Sequence, residues 1–261
     1  MAQEWFVNVT VLLIGLVIGS FGGVAATKLA AGAPSGDETH CSLSEQLPGT
    51  WEFLPLTGLA ISLIVGKHRR KLHCGKFLFG RLAAELGTAI AFLILYRRFG
   101  LSLPGVVHMI IAVHLCILAA TDIMYRLLPN RILLSASVFA VFLRLCCVGQ
   151  TPVWQFQTWQ SQIRSSLIDG SWGACLGFGF LFAASVIRPG AIGAGDVKMA
   201  GVIGFYLGFP SIVSGLAVGF TLSALCIIPM LFVGRLKTTD SIPLGVFLAL
   251  GTMWTVAASW V

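Results

Sequence analysis

About eight apolar runs, most of them close to the roughly 20 residues that carry a helix across a bilayer, constrain this chain more than any other feature. They cover approximately residues 6–26, 77–96, 103–122, 132–148, 172–188, 197–209, 211–233 and 242–260, the sixth being short. Only 10% of the 261 residues are charged and 57% are hydrophobic, whereas a soluble domain carries about a quarter charged residues. A water-facing surface needs those charges and a lipid-facing one excludes them. The pattern predicts an all-α polytopic membrane protein, a bundle of about eight transmembrane helices with one cytoplasmic loop region between the first two.

Charge sets the orientation. With the N-terminus outside, Arg97, Arg98, Arg144 and Arg164 are the four basic residues left on the outer side, and the other 13 of the 17 fall on the cytoplasmic side. That bias is the positive-inside rule. It also accounts for the net charge of +7 without a nucleic-acid partner; the lipid bilayer is the partner this composition requires. The opening Met1–Trp5 lacks the positive region of a cleavable signal peptide, so the first run is expected to be a retained span. In that run Gly15, Gly19 and Gly23 recur every four residues on one helical face, a spacing that permits close packing against a neighbour.

Residues 27–76 are mixed, with the basic stretch Lys67–Lys71, and are expected to be a cytoplasmic loop region whose Trp51–Val65 lies on the membrane surface. Residues 149–171, with Pro152, Trp154 and Trp159, are expected to form an outer loop whose tryptophans suit the headgroup layer. Five of the seven cysteines (Cys116, Cys146, Cys147, Cys175, Cys226) lie in apolar runs and act as small apolar residues, so no disulfide framework is implied. His108 and His114, six residues apart on one run, fall on different faces and are expected to be packed, neutral side chains.

Three of the ten acidic residues, Glu85, Asp122 and Asp196, sit in or at the edge of an apolar run. An ionisable group in hydrocarbon costs about 2.5–3.5 kcal/mol on insertion scales, and such groups tend to be functional. Asp122 closes the third run and Asp196 opens the sixth, and the predicted topology puts both at the cytoplasmic face. A lone interfacial aspartate would ordinarily cap a helix or pair with a cation such as Arg126 or Lys198. Two facing aspartates can instead share one proton, one acting as base toward a water and the other as acid toward a carbonyl. Gly193 and Gly195 beside Asp196 would let a substrate backbone approach closely. Chain order places Asp196 at the start of a helix, where the dipole favours a carboxylate, and Asp122 at the end of one, where it does not. That contrast predicts Asp196 as the charged partner at rest.

Gly193-Ala194-Gly195-Asp196-Val197-Lys198 and the stretch from Asp122 to Pro129-Asn130 resemble the GxGDxK and Asp-loop-Leu-Pro-Asn elements of the type IV prepilin peptidases, bacterial GxGD-type aspartic proteases. Gly19-Ser20-Phe21, Trp51–Leu56, Glu85 and Ile242–Gly251 resemble four further elements of that family, in order and over nearly the whole chain. In the family's IPxGPxLALG, the second Pro is Val246 here. The resemblance implies a first transmembrane helix (1–26), a loop region (27–76) like the family's zinc loop, and a transmembrane aspartic peptidase core (77–261). It implies catalysis by Asp122 and Asp196, with Gly193, Gly195, Lys198, Glu85 and Pro129 in supporting positions. The implied substrates are prepilins or pseudopilins of a pilus or type II secretion apparatus, cut after the glycine of a short basic leader. The implied site is the cytoplasmic face of the bacterial inner membrane.

Many members of that family also methylate the new N-terminus with S-adenosylmethionine. Here Gly23 and Lys28 replace residues that follow the family's GSF, a departure that bears on methylation. The family's two CxxC pairs are each reduced to one cysteine, Cys41 and Cys74, with Ser44 and Lys71 at the partner positions. Four ligands close a structural zinc site, so zinc is not expected and Cys41 and Cys74 are only its residual candidates. The alternatives are a presenilin- or signal-peptide-peptidase-like protease, in which Tyr usually stands where Thr121 is, or an ion-coupled transporter. A transporter would favour charges at the midplane and repeated halves.

Overall fold

The computed structural model of the chain describes residues 2–31, 74–146, 159–190, 192–234 and 243–258. Within them lie eight helices: α1 (Ala2–Ala31), α2 (Cys74–Phe99), α3 (Leu103–Tyr125), α4 (Asn130–Cys146), α5 (Trp159–Ile187), α6 (Ala194–Leu207), α7 (Ser211–Phe232) and α8 (Leu244–Ala258). Each predicted run falls in one helix. Helices α1, α2, α3, α5 and α7 contain stretches of 21–23 residues apolar enough to cross a membrane. The chain is a multi-pass, all-α membrane protein. Trp51–Val65, the Lys67–Lys71 run and Cys41 lie outside the described residues, as does the side chain of Cys74.

Local sequence explains several helix ends. Ser102 caps α3, its Oγ accepting the Gly105 N–H at 3.2 Å, and Pro104 follows in the first turn, where no N–H is needed. Gly100 and Gly208 take positive φ (61° and 74°) just past α2 and α6, where a side chain would be strained. One boundary differs from the sequence reading. Residues 159–171, expected in an outer loop, are the first turns of α5. Trp159 to Asp169 contains neither Gly nor Pro, so nothing there stops a helix from running beyond the apolar stretch; polarity marked where the membrane ends, not where the helix does.

Apolar contact between helices gains little in lipid, because hydrocarbon already solvates those side chains; close packing and hydrogen bonds must hold the bundle. Glycine seams supply the first. A Cβ built on Gly15 would lie 2.7 Å from the Ala89 Cα, and one on Gly19 would lie 2.7 Å from the Glu85 Cα, so α1 lies directly against the α2 backbone. Gly23 meets Arg81 in the same seam, and the predicted glycine face is therefore the α1–α2 contact. Gly173 and Gly204 pack α5 on α6 so tightly that neither has room for a methyl, and Gly251 does the same against Gly215 and Gly219 between α7 and α8.

The α1–α2 seam also encloses charge. Arg81 (3% exposed) and Glu85 (0%) form an ion pair at 3.3 Å, and the Arg81 guanidinium donates to the Ser20 hydroxyl at 3.4 Å. The Gly-Ser-Phe element and Glu85 thus meet in one buried group. At the other end of the bundle Arg144 donates to the Phe205 and Tyr206 carbonyls, each at 3.2 Å, satisfying the last turn of α6 with a cation. His108 and His114 each bond through Nδ1 to a carbonyl of their own helix, at 2.8 and 2.7 Å, and stack or tilt on Phe99 and Phe139. They are packed side chains, as their spacing suggested.

Helices α4 and α8 each pack against both α3 and α6. Leu118 of α3, Leu133 of α4 and Met199 of α6 converge in an apolar seam that sets the spacing of these helices. Glu85→Ala would leave Arg81 buried without this carboxylate, and removing one member of a buried pair typically costs about 3–5 kcal/mol. We expect a loss of that order in thermal or denaturant unfolding of the detergent-solubilised protein. Wild-type stability in Glu85→Ala would contradict a structural role for the pair.

Candidate active site

Asp122 lies in the last full turn of α3 and is 5% exposed. The helix stops because Arg126 turns left-handed (φ 53°), its N–H still reaching the Asp122 carbonyl at 3.0 Å. Leu127, Leu128 and Pro129 then lead to α4, whose first turn is started by the Pro129 carbonyl, bonded to the N–H groups of Ile132 and Leu133. The Asp122 carboxylate faces a different helix. Its Oδ2 accepts the Gly245 N–H at 2.8 Å, and the Val246 N–H is also directed at it. Both donors belong to the first turn of α8, where backbone N–H groups have no partner within the helix.

Asp196 is the third residue of α6, after the extended cap residue Gly193. Its own N–H and that of Val197 bond to the Gly193 carbonyl at 3.1 and 3.3 Å, and its carboxylate accepts the Gly193 N–H in return. This is the backbone-facing half of a capping box, and it fixes the carboxylate against its own helix start. Asp196 Oδ1 is buried and has no hydrogen-bond partner among the described residues, a costly condition for a carboxylate oxygen. Two contacts draw their helix ends together: Gly195, next to Asp196, lies against Leu128 of the loop after Asp122, and Gly245, bonded to Asp122, lies against Met199 of α6. The structure therefore brings together at one end of the bundle the two aspartates singled out in the sequence.

The helix-end contrast drawn from chain order does not survive. Asp196 does begin α6, but Asp122, while closing α3, faces the beginning of α8. Both carboxylates are at helix N-termini, and the dipole no longer separates them.

The neighbouring residues divide. Gly193 is exposed, and among the described residues a Cβ there would meet only the Asp196 Oδ2, at 3.2 Å. Gly195 has no such opening: a Cβ there would lie 2.9 Å from the Leu128 Cβ. Its missing side chain admits Leu128 of the loop after Asp122, and the expectation of a substrate approach at Gly195 is corrected accordingly. Lys198 turns away from the carboxylates and donates through Nζ to the Asn130 Oδ1 at 3.1 Å, tying α6 to the start of α4. Pro129 is half-buried at that same start. Glu85 belongs to the separate α1–α2 group. Gly245 and Val246 escaped the sequence reading as site residues because they act through their backbones; the signal present was the Ile242–Gly251 element itself.

Residues 109–233, which contain both aspartates, match the type IV leader peptidase family. The chain is 31% identical over 249 residues, 92% of its length, to a prepilin leader peptidase/N-methyltransferase of Bacillus subtilis (strain 168), covering 90% of that protein. No solved structure matches it. An alignment of this identity over nearly its whole length means that the protein belongs to the type IV leader peptidase family, a family of proteases.

Proposed function

We propose that the chain is an intramembrane aspartic endopeptidase that removes the basic leader of type IV prepilins or pseudopilins, using Asp122 and Asp196 as one unit. The observation that carries this reading is the convergence of the two helix ends: Gly245 bonds the Asp122 carboxylate of α3 and lies against Met199 of α6, the helix that bears Asp196. Each carboxylate is anchored by backbone N–H groups. Asp196 Oδ1 has no hydrogen-bond partner among the described residues.

In the proposed reaction the pair holds one proton and positions a water. The ionised carboxylate takes a proton from that water as its oxygen attacks the scissile carbonyl carbon. The protonated carboxyl gives its proton to the carbonyl oxygen, forming a neutral tetrahedral diol. On collapse, one hydroxyl proton returns to a carboxylate, the departing nitrogen takes the other proton from the pair, and the C–N bond breaks. The starting protonation of the pair is restored. Neither metal nor cofactor enters these steps. Methylation of the new N-terminus would draw on S-adenosylmethionine, and no described residue marks where it would bind. The charge bias of the loops supports a cytoplasmic catalytic face in the bacterial inner membrane, where a basic leader would remain.

Co-expression with a prepilin from the same genome tests this reading, with leader removal followed by gel shift and N-terminal sequencing. Wild type should cut after glycine. Asp122→Ala and Asp196→Ala, at matched membrane levels, should each lose at least about a hundredfold in rate, the lower range for acid–base catalysis. Cleavage at near-wild-type rate in either would contradict the two-aspartate mechanism.

The Lys198–Asn130 bond ties the Asp196 helix to the element that follows Asp122. Lys198→Met and Asn130→Ala should each slow cleavage, and the double variant should be no worse than the stronger single one. That corresponds to a coupling of about 1 kcal/mol for an exposed, charge-assisted bond. Additive effects would mean that the two residues act separately.

A further inference from the structure

Gly245 occupies the junction of three helices that the proposed chemistry needs in register. Its N–H meets Asp122 of α3 at 2.8 Å. A Cβ built on it would lie 2.9 Å from the Asp122 Oδ2, 3.4 Å from its Cγ, and 3.5 Å from the Sδ of Met199. Met199 is fully buried on α6, three residues beyond Asp196. The residue thus fills the space between the Asp122 carboxylate and the helix that bears Asp196, and only the absence of a side chain lets it do so.

We propose that the first turn of α8 is the positioning element of the site: the Gly245 N–H, supported by that of Val246, holds Asp122 Oδ2, and the bare Cα of Gly245 sets its distance from α6. This rests on the two-aspartate reading above. The Gly245 N–H fixes Oδ2 as an acceptor and so sets the direction in which the carboxylate presents its remaining lone pairs to the shared proton and the water. Asp122 would otherwise be a short side chain at a fraying helix end, free to rotate. Held from a second helix, it keeps one rotamer through the reaction, a preorganisation that serves catalysis without touching the substrate.

Two replacements at residue 245 separate the donor from the space. Glycolic acid, introduced by nonsense suppression in cell-free translation into lipid nanodiscs, exchanges the N–H for an ester oxygen and adds no side chain, with only a weaker Leu244 carbonyl as acceptor beside it. Gly245→Ala keeps the N–H and adds the methyl. Both are assayed with a prepilin beside wild type and Asp122→Ala, with thermal unfolding used to normalise rates to folded enzyme. We expect each to lower kcat per folded enzyme by about tenfold or more, the scale of one hydrogen bond to a charged group, with KM within about twofold of wild type. A residue that only supports the fold would lower the unfolding midpoint and leave kcat per folded enzyme unchanged. Wild-type kcat in the glycolate enzyme, with Asp122→Ala inactive, would overturn the positioning role and leave the two-aspartate reading standing. Activity in Asp122→Ala would overturn both.

Discussion

A carboxylate held at the edge of hydrocarbon has to be satisfied by the protein, and the way this chain satisfies Asp122 and Asp196 organises the structure around them. Among the described residues the bonds to both carboxylates come from the backbone: Lys198, the nearest cation in sequence to Asp196, is engaged with Asn130, and Arg126 acts on Asp122 through its charge. Backbone N–H groups at helix starts do the work, from Gly193 for Asp196 and from Gly245 and Val246 for Asp122. Such donors are fixed in place and bring no mobile charge that would compete for a shared proton. The arrangement requires three helix ends, those of α3, α6 and α8, to meet at one end of the bundle, and the rest of the bundle serves that meeting.

Lipid makes this harder, since the hydrophobic effect does not press helices together there. The chain relies on backbone approach at Gly15 and Gly19, at Gly173 and Gly204, and at Gly215, Gly219 and Gly251. These seams pair α1 with α2, α5 with α6, and α7 with α8. Helix α3 is not part of such a pair; it is held by α1, α2, α4 and α8 and by the apolar seam around Leu118. The buried Ser20–Arg81–Glu85 group locks the α1–α2 pair at a depth where a polar mismatch would be expensive. Arg144 fixes the far end of α6, so that the helix bearing Asp196 is tied at both ends.

Much of this was legible in the sequence, for identifiable reasons. Hydropathy located every helix because membrane helices declare themselves by length and apolarity. Gly15, Gly19 and Gly23 announced a packing face by their period. Asp122 and Asp196 stood out because charge is rare in such runs, and Gly193–Lys198 marked a helix start. What the sequence hid depends on contacts between distant segments. The role of Gly195 is set by Leu128, and a glycine looks the same whether its empty side faces substrate or protein. The environment of Asp122 is set by α8, more than 100 residues downstream, through N–H groups that carry no residue signature. The early start of α5 was missed because polar residues were taken as loop, although a helix can run past the membrane edge.

The central claim is that Asp122 and Asp196 face each other across α3 and α6 in the membrane. Cysteine cross-linking tests it most directly. In a chain with its native cysteines replaced, cysteines at positions 122 and 196 would be treated in membranes with a short bifunctional thiol reagent. The chain would then be cut at a protease site placed within residues 147–158. The account predicts that the two fragments stay joined, and that a cysteine pair at positions 108 and 196 gives separate fragments. Separate fragments from the 122–196 pair, with each cysteine shown to react singly with a small thiol reagent, would contradict it.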